Sequence, residues 1–397
     1  MHYSEKYNTL SRATRLLSLM LMAIMLSACS VLNIFNQSSE ETRVPAELKD
    51  ITPSLGVKQI WSTSVGDYAQ GLGYGLTPAI SNEIVYVASN NGVVTALNAI
   101  TGKQLWSTPT RVALAAGPGA GSGRVVVGSN NGDVIALDAT DGAELWRTKV
   151  KGEILAAPAV GTSEVAVRSA NGTLSVFNSN NGNELWKDVQ EVPRLSLRGY
   201  SSPIVTSGVV ITASDGGKVS SFRALDGAVV WERLIGLPRG STELDRIIDI
   251  DGKLALNDAN LFVVGYNSRL AKIDARTGNI IWAHDHSSNT GVNVDFKNVY
   301  LSDVDGNVLA YDQEVGSQQW KSQEYKYRQL SAPGVTAKAL VLGDLAGFVH
   351  FLSPQDGSTI ARQKISKAAI RMPPLTQDNR VYVFADDGKL VAFQVTQ

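Results

Sequence analysis

A second cysteine is missing from the 397 residues, so no adjacent cysteine pair is available for redox chemistry beside a cofactor, and Cys29 stands alone. Charge of one sign is missing too. Thirty-six basic side chains face thirty-seven acidic ones, for a formal net charge of -1. Without a basic run or a positive field to neutralise phosphate, nucleic acid is excluded as a partner. The apolar stretch at residues 16–26 falls short of the roughly 20 residues that a helix needs to span a bilayer. No Gly-x-Ser-x-Gly elbow is present to carry a nucleophilic serine. Helical periodicity is absent as well, which leaves strands as the building material. What the chain does have is 44% hydrophobic residues, enough to bury a large core in one big β domain or in two domains.

Lys6, Arg12 and Arg15 precede the apolar stretch, and small residues follow it, so residues 1–28 read as a secretory signal peptide. The segment ends in Leu26-Ser27-Ala28-Cys29, which resembles the lipobox of bacterial lipoproteins, where the cysteine thiol receives a diacylglyceryl group. That resemblance implies that Cys29 is a membrane anchor, and two or more acyl chains on one residue make such anchoring effectively stable. The alternative is a buried free cysteine in an uncleaved apolar helix. Ser30 is not the aspartate that retains such proteins in the inner membrane, so the periplasmic face of the outer membrane is expected. Residues 29–56 contain Ser38, Ser39, Glu40, Glu41, Pro45 and Pro53 without sustained periodicity and are expected to form a flexible tether. The folded domain is then 57–397.

A repeat sets the architecture. NNGVVTALNAITGKQLW at 90–106, NNGDVIALDATDGAELW at 130–146 and ANGTLSVFNSNNGNELW at 170–186 begin a series of eight copies, the last truncated as DDGKLVAFQV. Each copy has alternating apolar runs separated by Asn-Gly or Asp-Gly pairs, the hairpin signature, because those pairs tolerate positive φ. Gly92, Gly132, Gly172, Gly217, Gly306 and Gly347 each stand ten residues before a second glycine, and Trp106, Trp146, Trp186, Trp231 and Trp320 stand four residues after that one. Pro78, Pro118, Pro158, Pro203, Pro333 and Pro374 lie fourteen residues before the first glycine, where a strand can spare a backbone donor. Four strands in about forty residues, repeated eight times, predict an all-β, eight-bladed propeller with four-stranded antiparallel blades. The tryptophans are expected to fill the wedges between blades. Copy five has Ser268 for the first glycine, and copy seven has Ala361 for the tryptophan. Trp61, before the first full copy, is placed to complete the last blade and close the ring, leaving no free edge.

Length variation is confined to the connectors between copies, which lie on one face of the disc, where repeat proteins place binding loops. Trp106 to Pro118 and Trp146 to Pro158 span twelve residues each, but Trp186 to Pro203 spans seventeen and Trp231 to Leu254 twenty-three. The first long connector carries 193–200, Pro-Arg-Leu-Ser-Leu-Arg-Gly-Tyr, and the second 244–251, Leu-Asp-Arg-Ile-Ile-Asp-Ile-Asp. Apolar side chains beside charges on neighbouring loops suit a protein-binding hot spot, with arginine as the strongest single candidate. Two readings stand equal on spacing alone. Either these residues face a partner, or Leu195, Leu197, Ile247 and Ile248 fold back on their own blades while Asp249 and Asp251 cap a turn.

With the lipobox, the eight copies, Leu-Ser-Leu-Arg-Gly at 195–199 and Asp-Arg-Ile-Ile-Asp-Ile-Asp at 245–251, the chain resembles the BamB family, lipoproteins of the outer-membrane β-barrel assembly machinery. The resemblance covers the lipobox and all eight repeats. It implies a non-catalytic scaffold in which Leu195, Leu197, Arg198, Asp249 and Asp251 form the surface docking onto the periplasmic POTRA domains of BamA. It further implies help with the insertion of β-barrel clients, without cofactor or metal. In physical terms the leucines would enter an apolar site and Arg198 would pair bidentately with a carboxylate, the aspartates orienting it or accepting from the partner.

Rival readings are weaker. The Gly-x-x-x-Trp pattern also resembles quinoprotein dehydrogenases, but those are longer and usually use an adjacent cysteine pair, and a fold does not carry chemistry with it. A lipid-anchored propeller that binds glycan or an unrelated protein is a third possibility, against which the two loop motifs argue. His284-Asp285-His286 offers two metal ligands, though a solvated turn after Trp282 is the simpler expectation. Asp303-Val304-Asp305-Gly306 starts like a calcium loop but lacks the distant glutamate and coincides with a hairpin turn. Gly117, Gly119, Gly121 and Gly123 precede no helix N-terminus that would cradle phosphate.

Overall fold

The computed structural model describes residues 43–66, 75–196, 201–237, 241–243 and 246–396. All named elements among them are strands, gathered into eight antiparallel four-stranded sheets. In chain order, blades 1 to 7 occupy 79–109, 114–149, 159–189, 204–234, 255–286, 292–322 and 334–364. Blade 8 takes three strands from 375–396 and its outermost from Gly56–Ser64, which pairs with Lys389–Thr396. The strand that holds Trp61 thus completes the last blade and closes the ring, as expected.

Within a blade the strands differ in burial because they differ in what covers them. The second and third strands, such as Ile84–Ala88 and Val93–Asn98 in blade 1, are buried almost throughout. The outermost, Gln104–Pro109, alternates, with Trp106 inward and its neighbours exposed. Sheets then pack face to face. Tyr86, Val94 and Trp106 of blade 1 share a cluster with Leu114, Val125, Ile135 and Leu137 of blade 2, and burying each such aliphatic side chain stabilises by roughly 1.5–3 kcal/mol.

Each wedge tryptophan also makes one polar contact, the same in every case. Its indole Nε1 donates to a carbonyl in the last hairpin of the next blade: Trp106 to Ala139 at 3.0 Å, Trp146 to Ser179 at 2.8 Å, Trp231 to Ala275 at 2.8 Å, Trp320 to Pro354 at 2.9 Å. The second glycine of each copy has a further duty here. Gly142 has φ +75°, and a Cβ there would lie 2.5 Å from the Trp106 ring, so the position demands glycine on two counts. Between blades 7 and 8, where Ala361 replaces tryptophan, Phe351 and Phe393 meet edge to face with ring centres 6.1 Å apart.

Of the expected tether, 29–56, the structure describes residues 43–56. Residues 45–55 lie against blades 6 and 7, held by hydrogen bonds from main-chain groups that leave no mark in composition. Cys29 lies outside the described residues.

Candidate functional site

The two long connectors adjoin blade 4 on either side. In the first, Leu195 is 47% exposed; Leu197 and Arg198 lie outside the described residues. In the second, Arg246 is exposed, but the chain then turns inward. Ile248 and Ile250 are buried, and Ile250 joins the cluster of Trp231, Ile235 and Leu254 between blades 4 and 5. A bridge between Asp249 and Tyr266, with the Tyr266 N–H donating to the Asp249 carbonyl at 2.7 Å, fastens the connector to the middle hairpin of blade 5. Asn267 Nδ2 donates to the Ile247 carbonyl at 3.1 Å. Folding back therefore wins for this connector, because the alternating Ile-Asp-Ile-Asp run adds a short strand-like edge to blade 5.

Asp249 and Asp251, both expected on the docking surface, are buried in this structure. Asp249 is 0% exposed and Asp251 6%, and neither side chain lies on the outside. With Asp215 of blade 4 they form a trio of buried carboxylates whose oxygens lie within 4.8 Å of one another. Arg168, at the end of the blade 3 strand Glu164–Arg168, forms a buried ion pair with Asp215. Blades 3 and 4 and the connector to blade 5 are therefore joined by charge at one point.

Three carboxylates in a low-dielectric pocket cannot all stay ionised. Asp251 yields. Burial, followed by the charges of Asp249 and Asp215, pushes its carboxyl up to about 8, with Arg168 opposing, so it carries a proton at neutral pH. An all-oxygen trio is the donor set that hard divalent cations use. Here Arg168 already engages Asp215, so one of the three carboxylates is paired within the protein.

The other candidates resolve into structure. His284 and His286 lie within the blade 5 strand Ile280–His286, not in a turn. His284 stacks on Tyr311 with ring centres 5.2 Å apart, and His286 hydrogen-bonds the Tyr311 hydroxyl. Asp303 folds its hairpin, accepting from the N–H groups of Asp305 and Asn307 at 3.0 and 2.8 Å. At Gly119 a Cβ would sit 1.8 Å from the Pro158 carbonyl, so that glycine lets blades 2 and 3 approach.

Sequence reasoning missed Arg168 and Asp215, although a signal for Arg168 existed. The position four residues before the hairpin glycine holds Ala88, Gly128 and Ala213 in copies one, two and four but Arg168 in copy three. An arginine in a slot that every other copy fills with an uncharged residue must find a buried anion.

Comparison with known proteins settles the lineage. The family described as "Outer membrane protein assembly factor BamB" matches residues 55–113, 90–322 and 304–397. The chain belongs to the BamB family. It is 44% identical over 378 residues to the outer membrane protein assembly factor BamB of Pseudomonas aeruginosa, covering 95% of this chain and 98% of that one. To the BamB of Escherichia coli K12 it is 32% identical over 379 residues, covering 93% and 96%. The crystal structure of BamB from Moraxella catarrhalis superposes with a TM-score of 0.78 at 28% identity, covering 85% of this chain and 100% of that chain. A quinohemoprotein alcohol dehydrogenase from Comamonas testosteroni, at 14% identity and a TM-score of 0.68, covering 85% of this chain and 76% of that one, shares the propeller fold alone. The relatives that carry the family name are assembly factors of the outer membrane.

Proposed function

We propose that this protein is a non-catalytic scaffold of outer-membrane β-barrel assembly, anchored by a lipidated Cys29 to the periplasmic face of the outer membrane and docked onto the POTRA domains of BamA. Membership of the BamB family supports the assembly role and the association with the outer membrane. The observation that carries the docking site is the placement of the two long connectors on either side of blade 4, with Leu195 exposed on the first and the second pinned from below by buried aspartates. In this reading Leu195, Leu197 and Arg198 touch the partner, and Asp249 and Asp251 act by holding the connectors in place. Client chains meet the protein at blade edges. The outermost strands expose Leu105, Leu145, Leu185, Val230 and Ile281, each directly before its blade's tryptophan, and an extended segment can add to such an edge. Co-purification from membranes tests the scaffold. BamA is expected to come down with the wild type and to be lost from a folded Arg198→Glu variant. Failure of the wild type to recover BamA would overturn the reading.

A further inference from the structure

Residues 45–55 are clipped to the propeller by a polar network that the docking surface does not use. The Ala46 N–H donates to the Lys326 carbonyl at 2.9 Å, and those of Ser54 and Leu55 to the Ile360 carbonyl at 3.0 and 3.3 Å. Arg328 Nη1 donates to the Ala46 carbonyl and Arg362 Nη1 to the Lys49 carbonyl, both at 2.8 Å. Leu48 packs on the cluster holding Tyr325 and Leu330, and Leu55 on the one holding Phe351 and Phe393.

Both arginines are aimed by one fully buried carboxylate. Asp344 accepts from Arg328 Nε at 2.8 Å, and His350 Nε2 lies 3.0 Å from the same Asp344 oxygen. Arg362 Nε donates to His350 Nδ1 at 3.2 Å. Because an arginine Nε–H only donates, Nδ1 must accept, which leaves the proton on Nε2 and the imidazole neutral. Burial, the largest influence on His350, also holds its pKa below the ordinary value. The chain from Asp344 through His350 to Arg362 has one consistent set of donors and acceptors.

We infer that residues 45–55 are a strap, with Arg328 and Arg362 as its positioning residues, that fixes where the N-terminal segment leaves the propeller. The exit lies at Lys326, in the connector from blade 6 to blade 7, on the same face as the two long connectors and two connectors beyond the second. The strap stands independently of the docking proposal.

Hydrogen exchange of the full chain, read by mass spectrometry, tests the strap. Wild-type peptides covering 46–55 are expected to exchange at least about tenfold more slowly than an unstructured peptide. In Arg362→Met, exchange in 46–55 rises and trypsin cleaves faster after Lys49, while peptides from blades 1 to 5 are unchanged; Arg362→Lys restores part of the protection. Leu48→Asp, which alters the strap and not the blades, is expected to release it in the same way. Unprotected 46–55 in the wild type, or protection untouched in both Arg362→Met and Leu48→Asp, would overturn the inference. These readouts need neither BamA nor the lipid, so failure of docking and failure of the strap are distinguishable.

Discussion

The Trp61 indole Nε1 donates to the Ala99 carbonyl at 3.0 Å, joining the strand that opens the described propeller to the last hairpin of blade 1. Trp61 belongs to blade 8, so this contact repeats across the ring's seam the bond that each other tryptophan makes to the blade after it. Closure by the N-terminal strand is thus held by a wedge equal to those inside the ring, with the Trp61 and Tyr382 ring centres 5.8 Å apart.

Trp61→Ala is expected to cost about 3–5 kcal/mol, the range for emptying an aromatic site in a core, read as a lowered urea midpoint. Gly102→Ala should also destabilise, since a Cβ there would lie 2.6 Å from the Trp61 ring at a φ of +69°. A midpoint unmoved in both variants would mean that the seam does not carry the ring's stability.

The Arg168–Asp215 pair calls for a double-mutant cycle. Removing one partner strands a buried charge, so Arg168→Met alone is expected to destabilise by about 3–5 kcal/mol. The double variant Arg168→Met/Asp215→Leu should recover a large part of that loss. Additive losses would show that the pair is not coupled.

Asp251 gives a pH test with a definite sign. Its folded-state pKa, about 8, lies above the ordinary carboxylate value, so the folded protein holds a proton that the unfolded chain releases. Stability contributed by this group therefore falls as pH rises from about 4 towards 8 and levels off above. Asp251→Asn removes the ionisation, so its melting temperature should gain on the wild type between pH 5 and pH 8. A constant gap would mean that Asp251 titrates normally.

How much was legible in the sequence follows from where each partner lies. Strand pattern, hairpin glycines and wedge tryptophans recur within one copy, so alternation and spacing revealed the blades and the closure through Trp61. The steric duty of Gly142 was hidden because the ring it accommodates, Trp106, belongs to the preceding copy. The aspartates of the second connector read as surface residues because local sequence reports their charge but not the Arg168 and Asp215 that meet them from blades 3 and 4. His350 was detectable, as Thr95, Ser175 and Val391 occupy the equivalent slot in other copies. The strap was not, since Arg328 and Arg362 hold carbonyl groups, which every residue has.

The most direct measurement is the affinity of the purified propeller for a soluble POTRA segment of BamA, comparing wild type with Leu195→Asp and Arg198→Glu at matched fold and melting temperature. Hot-spot residues at an interface centre are worth about 2 kcal/mol or more, so each variant is expected to bind at least about tenfold more weakly. Affinities equal to the wild type in both would contradict docking through the connectors flanking blade 4.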